Sequence, residues 1–166
     1  MGVLRKFFLL SGILPEERSV KMMIEQDTIK LLRECDAGVK MGISSIDDVL
    51  DHVQDKKFKQ RLEECRSEHV KLDRGLQAHL DNYHDEGKNP NPIAQGMSWV
   101  KTNVKLAMED SDASVASLMT DGCNMGVKSL SQYLNQYKAA DEPSKAIARR
   151  LIDVEQQLVD DIRQYL

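Results

Sequence analysis

The sequence predicts an all-α fold, a four-helix bundle built as two antiparallel hairpins joined by a long connection that carries a short helix of its own. Three observations predict it. Apolar residues recur at spacings of three and four along four long stretches, the signature of helices with one buried face. Cap signals separate those stretches, and Asn89-Pro90-Asn91-Pro92 is the one proline-rich loop. The composition agrees, with four prolines, nine glycines, 30% charged residues and only 5% aromatics, which offers little to a β-sandwich.

The first stripe runs from Ile24 through Thr28, Leu31, Cys35, Val39, Gly42/Ile43, Ile46 and Leu50 to Val53, one helix of about eight turns. Asp55 caps a second, marked by Phe58, Leu62, Cys65, His69, Leu72, Leu76, Leu80 and Tyr83 and stopped by Gly87. The link between them is short, so they fold back antiparallel. Ile93, Met97, Val100, Val104 and Met108 mark the short helix of the connection. Asp110-Ser111-Asp112 opens a third long helix, with Val115, Leu118/Met119, Gly122/Cys123, Val127, Leu130, Leu134 and Tyr137 on one face. Asp141-Glu142-Pro143 opens the fourth, striped by Ile147, Leu151, Val154, Leu158, Ile162 and Tyr165; its proline is tolerated because a first turn has no amide partners to lose. Single-stripe helices are marginal alone in water, so the four must cover one another.

With 166 residues the chain is one domain's worth, able to bury roughly 70% of the surface it exposes unfolded. A formal net charge of -4 leaves no basic excess to hold a phosphate backbone, and nucleic acid is not expected as a partner. Three cysteines without a CxxC spacing fit a reducing compartment, which points to the cytoplasm. The longest apolar run, Phe7 to Ile13, is broken by Ser11 and Gly12 and falls far short of the roughly 20 residues of a membrane span. Arg5 and Lys6 imitate the start of a signal peptide, yet no small-residue cleavage site follows. Glu16-Glu17-Arg18 can be encoded by a purine-rich stretch shortly before Met22-Met23. Residues 1–22 therefore read as an N-terminal extension, a mis-called start being one explanation, and residues 23–166 as the bundle.

An internal repeat supports the two-hairpin plan. Cys35-Asp36-Ala37-Gly38-Val39-Lys40 returns as Cys123-Asn124-Met125-Gly126-Val127-Lys128, an offset of 88 residues. The hairpin partners match more loosely, Arg61-Leu62-Glu63-Glu64 against Arg150-Leu151-Ile152-Asp153, at an offset of 89. A glycine inside a helix costs about 1 kcal/mol relative to alanine, so Gly38 and Gly126 at matching places imply close approach of a neighbouring helix. The same register sets Lys40 level with Glu68 and Lys128 level with Glu155, predicting two similar ion pairs on the rim.

Two hairpins joined by a long crossover resemble the ferritin-like proteins. The run Gly96-Met97-Ser98-Trp99-Val100-Lys101, the acidic turn after it and the Asp121-Gly122-Cys123 helix are similar to a branch of bacterial ferritin-like four-helix proteins that forms a domain of unknown function. The resemblance spans about Ile24 to Leu166 and implies the fold; it implies almost no chemistry. Metal-binding members of the fold carry a Glu on each of two helices and a Glu-x-x-His pair on each of the others. The nearest frames here are Glu64-Cys65-Arg66-Ser67 and Asp153-Val154-Glu155-Gln156, with serine and glutamine in place of histidine. The di-iron ligand set is thus missing, and no metal or other cofactor is expected. Were a rearranged metal centre present, its candidates would be Glu34, Glu64, His69 and Asp153.

His69 is the most informative polar residue because it occupies a core-stripe position. It reads either as a lone ligand or as a buried imidazole bonded to a neighbouring backbone or carboxylate, and the second reading is favoured. Cys35, Cys65 and Cys123 lie on apolar stripes, where free cysteine acts as a small hydrophobe. The sequence contains no Gly-rich phosphate loop, no GxSxG and no zinc-like His/Cys spacing. The functional expectation is a non-catalytic ferritin-like protein, an interaction or stress-associated protein that self-associates through a helix face. The alternative is a metal-binding or metal-storage protein with a rearranged centre around His69.

Overall fold

The computed structural model describes residues 14–90 and 111–166. Four long helices account for most of them: α1 (Pro15–Val49), α2 (Lys56–Asn82), α3 (Asp112–Gln136) and α4 (Glu142–Ile162). No strand occurs among the described residues. The short helix expected around residues 93–108, and the Trp99 segment, lie outside them.

Three of the helix starts follow their cap signals. The Asp55 carboxylate accepts from the Lys57 and Phe58 amides at 2.8 and 2.9 Å, the Ser111 hydroxyl from Ser114, and the Asp141 carboxylate from Ser144 at 2.9 Å. The fourth start corrects the sequence reading. α1 begins at Pro15 rather than Ile24, so residues 15–22, assigned there to an extension, belong to the same continuous helix. Pro15 supplies the fixed φ of a first helical residue, Glu16 and Glu17 favour the helix N-terminus, and the Glu17 carboxylate accepts from the Leu14 amide. Residues 14–26 are all exposed, so no apolar periodicity announces them.

Contacts at the two ends set the helix directions. At one end the Asp112 carboxylate accepts from the Gln54 and Asp55 amides at 2.7 and 2.9 Å, tying the start of α3 to the α1–α2 turn. At the other, the Asp141 amide donates to Thr28 Oγ1 at 2.8 Å and Tyr83 donates to the Asp141 carboxylate at 3.1 Å. α3 therefore starts where α2 starts and finishes where α2 finishes, so the two run parallel and no tight turn can join them. α4 returns to stack Tyr165 on Phe58, ring centroids 4.6 Å apart, with the Tyr165 hydroxyl on Asp55.

Within this frame α1 lies against α2, α2 against α4, and α4 against α3, while α1 and α3 meet only loosely. Two apolar clusters fill the interior. One gathers Ile46, Val49, Phe58, Leu62, Val115, Leu158 and Ile162. The other gathers Leu31, Leu32, Leu76, Leu80, Leu130 and Leu151. Each fully buried aliphatic or aromatic side chain contributes roughly 1.5–3 kcal/mol of transfer free energy. Cys35 lies in the second cluster and Cys123 in the first, so the two copies of the repeat face opposite ends of the core.

The predicted rim pairs do not form. Lys40 bonds Asp36 one turn earlier at 2.9 Å, Glu68 bonds Lys71 and Arg150, and Glu155 is buried. The reason for the first is local: Asp36 is fully buried, and besides Lys40 it accepts from Gln77 at 2.7 Å and from the Lys88 amide at 2.7 Å, docking the chain after α2 onto α1. Gly87 permits that docking. Its φ is +76°, and a Cβ there would stand 2.3 Å from Asp36 Oδ2.

The glycine expectation is half corrected. A Cβ on Gly126 would meet the Glu155 carboxylate at 2.1 Å, whereas nothing lies within 4 Å of one on Gly38; the glycine of α1 that makes room is Gly42, where Cβ would meet His69 Nε2 at 2.7 Å. Gly38→Ala and Gly75→Ala, both with open space at Cβ, should each stabilise the fold by up to about 1 kcal/mol in urea denaturation through helix propensity. Gly42→Ala should instead cost about 1–3 kcal/mol by forcing the buried ring aside.

Candidate functional site

The loose meeting of α1 and α3 leaves a cavity of about 170 Å³. α1 lines it from Glu34 to Ile46, α3 from Leu118 to Tyr133, α2 supplies Cys65 and His69, and α4 supplies Glu155 and Leu158. Most of the lining is apolar. Met41, Leu118, Met119 and Leu130 face it, and the half-exposed Met125 marks an opening to solvent.

His69 and Glu155 are a buried imidazole and carboxylate of its wall, with 2% and 9% of their surfaces exposed. Each belongs to the core stripe of its helix: His69 follows Cys65 by four residues, and Glu155 lies four after Leu151 and three before Leu158. The imidazole is fixed by its Nδ1, which stands 2.9 Å from the Cys65 carbonyl oxygen, with the Cys65 sulfur at 3.6 Å. A carbonyl only accepts, so Nδ1 carries the proton in every charge state of the ring. Nε2 faces the Glu155 carboxylate across 4.0 Å, too far for a direct hydrogen bond. His69 Nε2 and Glu155 Oε2 are buried and have no hydrogen-bond partner among the described residues.

The two hairpins are thus built alike. In each, a glycine of the first helix stands opposite an ionisable group of the second, Gly42 with His69 and Gly126 with Glu155. Side chains on the glycines would occupy the space those groups now use. An unsatisfied buried polar atom costs about 1–3 kcal/mol, so two of them on one cavity wall call for a physical explanation.

Burial works first against a charge on His69, but the Cys65 side chain and then Glu155 outweigh it and push the imidazole pKa up to about 10. Burial raises Glu155, with His69 opposing. Both shifts act in one direction: the pair holds on to its proton. The Cys35 and Cys123 thiols are unlike those of a reactive centre. Burial pushes Cys35 up to about 12 and Cys123 well above the usual thiol range, which disfavours thiolate at both. All three cysteines are free and buried.

Of the four residues named from sequence as a conditional metal set, only two come together. Glu34 and His69 line the same cavity, Glu34 with its carboxylate 2.7 Å from Lys88 Nζ. Glu64 is exposed and pairs with Arg61, and Asp153 is exposed. Among the described residues no three His, Cys, Asp or Glu side chains are disposed to hold a metal ion. Glu155 and Gly42 were missed as site residues, although both occupy stripe positions that could have revealed them. Compared with protein-family models, with curated proteins and with solved structures, the chain matches none.

The proton held by the pair has a consequence for stability. A histidine whose folded pKa is raised contributes stability that is complete below its unfolded pKa, about 6.5, and is lost as pH climbs towards the folded value. The raised Glu155 has the same sign, since the folded state binds its proton more tightly than the unfolded chain does. Stability by urea denaturation should therefore fall between pH 6.5 and 7.5, before unfolded thiols, with a pKa of about 8.5, ionise appreciably, and Glu155→Gln should make that slope shallower. A flat or rising profile in the unaltered protein would contradict the assignment.

Proposed function

We propose that this chain is a non-catalytic ferritin-like helical protein, its two hairpins joined by a crossover, and that its working part is the cavity between α1 and α3, which binds a small molecule reversibly. The observation that carries the reading is the pair of buried, unpartnered atoms, His69 Nε2 and Glu155 Oε2, on the wall of a mostly apolar cavity that opens beside Met125. Ligand sites have this construction, mostly apolar with a few polar groups that fix orientation. Cys65, His69 and Glu155 adjoin one another on this wall, but His69 Nδ1 is committed to the Cys65 carbonyl 2.9 Å away and so carries a proton, which leaves it unable to act as a base toward the thiol, and the pair's proton is held rather than poised for transfer near neutral pH. The parallel course of α2 and α3 supports the ferritin-like reading of the fold.

Self-association is a second reading, favoured by Val20, Met22, Met23 and Ile24, which leave apolar surface exposed on the first turns of α1. The cytoplasm is supported by three free, buried cysteines. No helix among the described residues is long and apolar enough to cross a membrane.

Screening small neutral, anionic and cationic fragments against ¹⁵N-labelled protein tests the binding function. Amide shifts should centre on Gly42, Gly126 and the turns around them. A screen with no binder, or with shifts confined to surfaces away from the cavity, would overturn the proposal.

A further inference from the structure

The geometry points to a ligand of one chemical class: a compact, uncharged molecule whose polar head carries a hydrogen-bond donor beside an acceptor, a primary carboxamide being the best match, on an apolar body about the size of a benzene ring. The inference rests on the binding function proposed above and deepens it.

Nδ1 is committed to the Cys65 carbonyl, so any variable proton of the ring sits on Nε2. With one proton between them, His69 and Glu155 have two arrangements, imidazolium with carboxylate or imidazole with carboxylic acid. Both are neutral overall. Both also show the cavity one donor and one acceptor, with the roles exchanged. A head group carrying a donor and an acceptor side by side satisfies either arrangement, and one that only accepts or only donates leaves a buried atom unpaired.

At 2% and 9% exposure the pair balances itself, and Glu34 on the same wall is paired with Lys88, so an ionic head would bring an uncompensated charge against two buried groups. A single water takes about 30 Å³, and a cavity of about 150 Å³ holds benzene. At about 170 Å³ this cavity is too large to be explained by one water bridging the two atoms, and Met41, Met119 and Leu130 make much of the remaining wall apolar, with Glu34, Ser45, Ser129 and Tyr133 also lining it. The 4.0 Å gap between Nε2 and Oε1 keeps the two groups from satisfying each other, and Gly42 and Gly126 keep their positions clear of side chains.

Four compounds of nearly one shape test this on the unaltered protein at pH 7.5: benzamide, benzoate, benzamidinium and acetophenone, each titrated while amide shifts at Gly42 and Gly126 are followed. Benzamide should bind at least about tenfold more tightly than each of the others, the worth of one well-made hydrogen bond or one avoided buried charge. Benzoate or benzamidinium binding as well as benzamide would overturn the uncharged class. Equal binding of acetophenone would show that no donor is read. Cavity binding by other fragments, with none of these four bound, would reject the ligand class while leaving the binding function standing; no cavity binder of any kind would reject both. Glu155→Met should bring benzamide and acetophenone to within about twofold of each other, and an undiminished preference for benzamide in that variant would overturn the role given to the pair.

Discussion

The middle of this bundle depends on a steric constraint: Gly42 and Gly126 must lack side chains for His69 and Glu155 to occupy the interior as they do. Each glycine costs helix propensity of about 1 kcal/mol, and the groups they admit cost more through desolvation and unpaired atoms. A structure optimised for stability alone would carry alanine at the glycines and leucine opposite them. Leucine does hold positions 151 and 158 on either side of Glu155. The two polar groups are therefore a departure from an otherwise oily core, and they sit where the loose meeting of α1 and α3 leaves a cavity.

Much of the architecture was legible. Four stripes, the Asp55, Ser111 and Asp141 caps and the proline in the first turn of α4 gave the helices with nearly the observed limits, because caps act locally and amphipathic periodicity records which face is buried. The early start of α1 was not legible by that route, since a helix exposed all round has no stripe. Its signals are Pro15 followed by Glu16 and Glu17, which mark a helix start without any apolar face.

The site was half legible. His69 stood out as a polar residue on an apolar stripe, and its expected backbone bond is present, to the Cys65 carbonyl. Hairpin register sets Glu155 level with Lys128 and so predicts it at the rim. Register gives height along a bundle but not rotation about a helix axis, and the rotation was recorded by Leu151, Glu155, Leu158 and Ile162. Asp36 was lost similarly. Its carboxylate is buried by the chain after α2 folding back over it, a long-range event that no local pattern announces.

Nitrogen-15 NMR of the His69 ring, followed from pH 5.5 to 9, tests the central claim most directly. The account has Nδ1 protonated across the whole range and no charge change of the ring centred near 6.5, because Glu155 and the Cys65 groups hold the proton. A ring that titrates near 6.5 and exchanges its proton between both nitrogens would contradict it, showing an imidazole free in solvent rather than one held against Glu155.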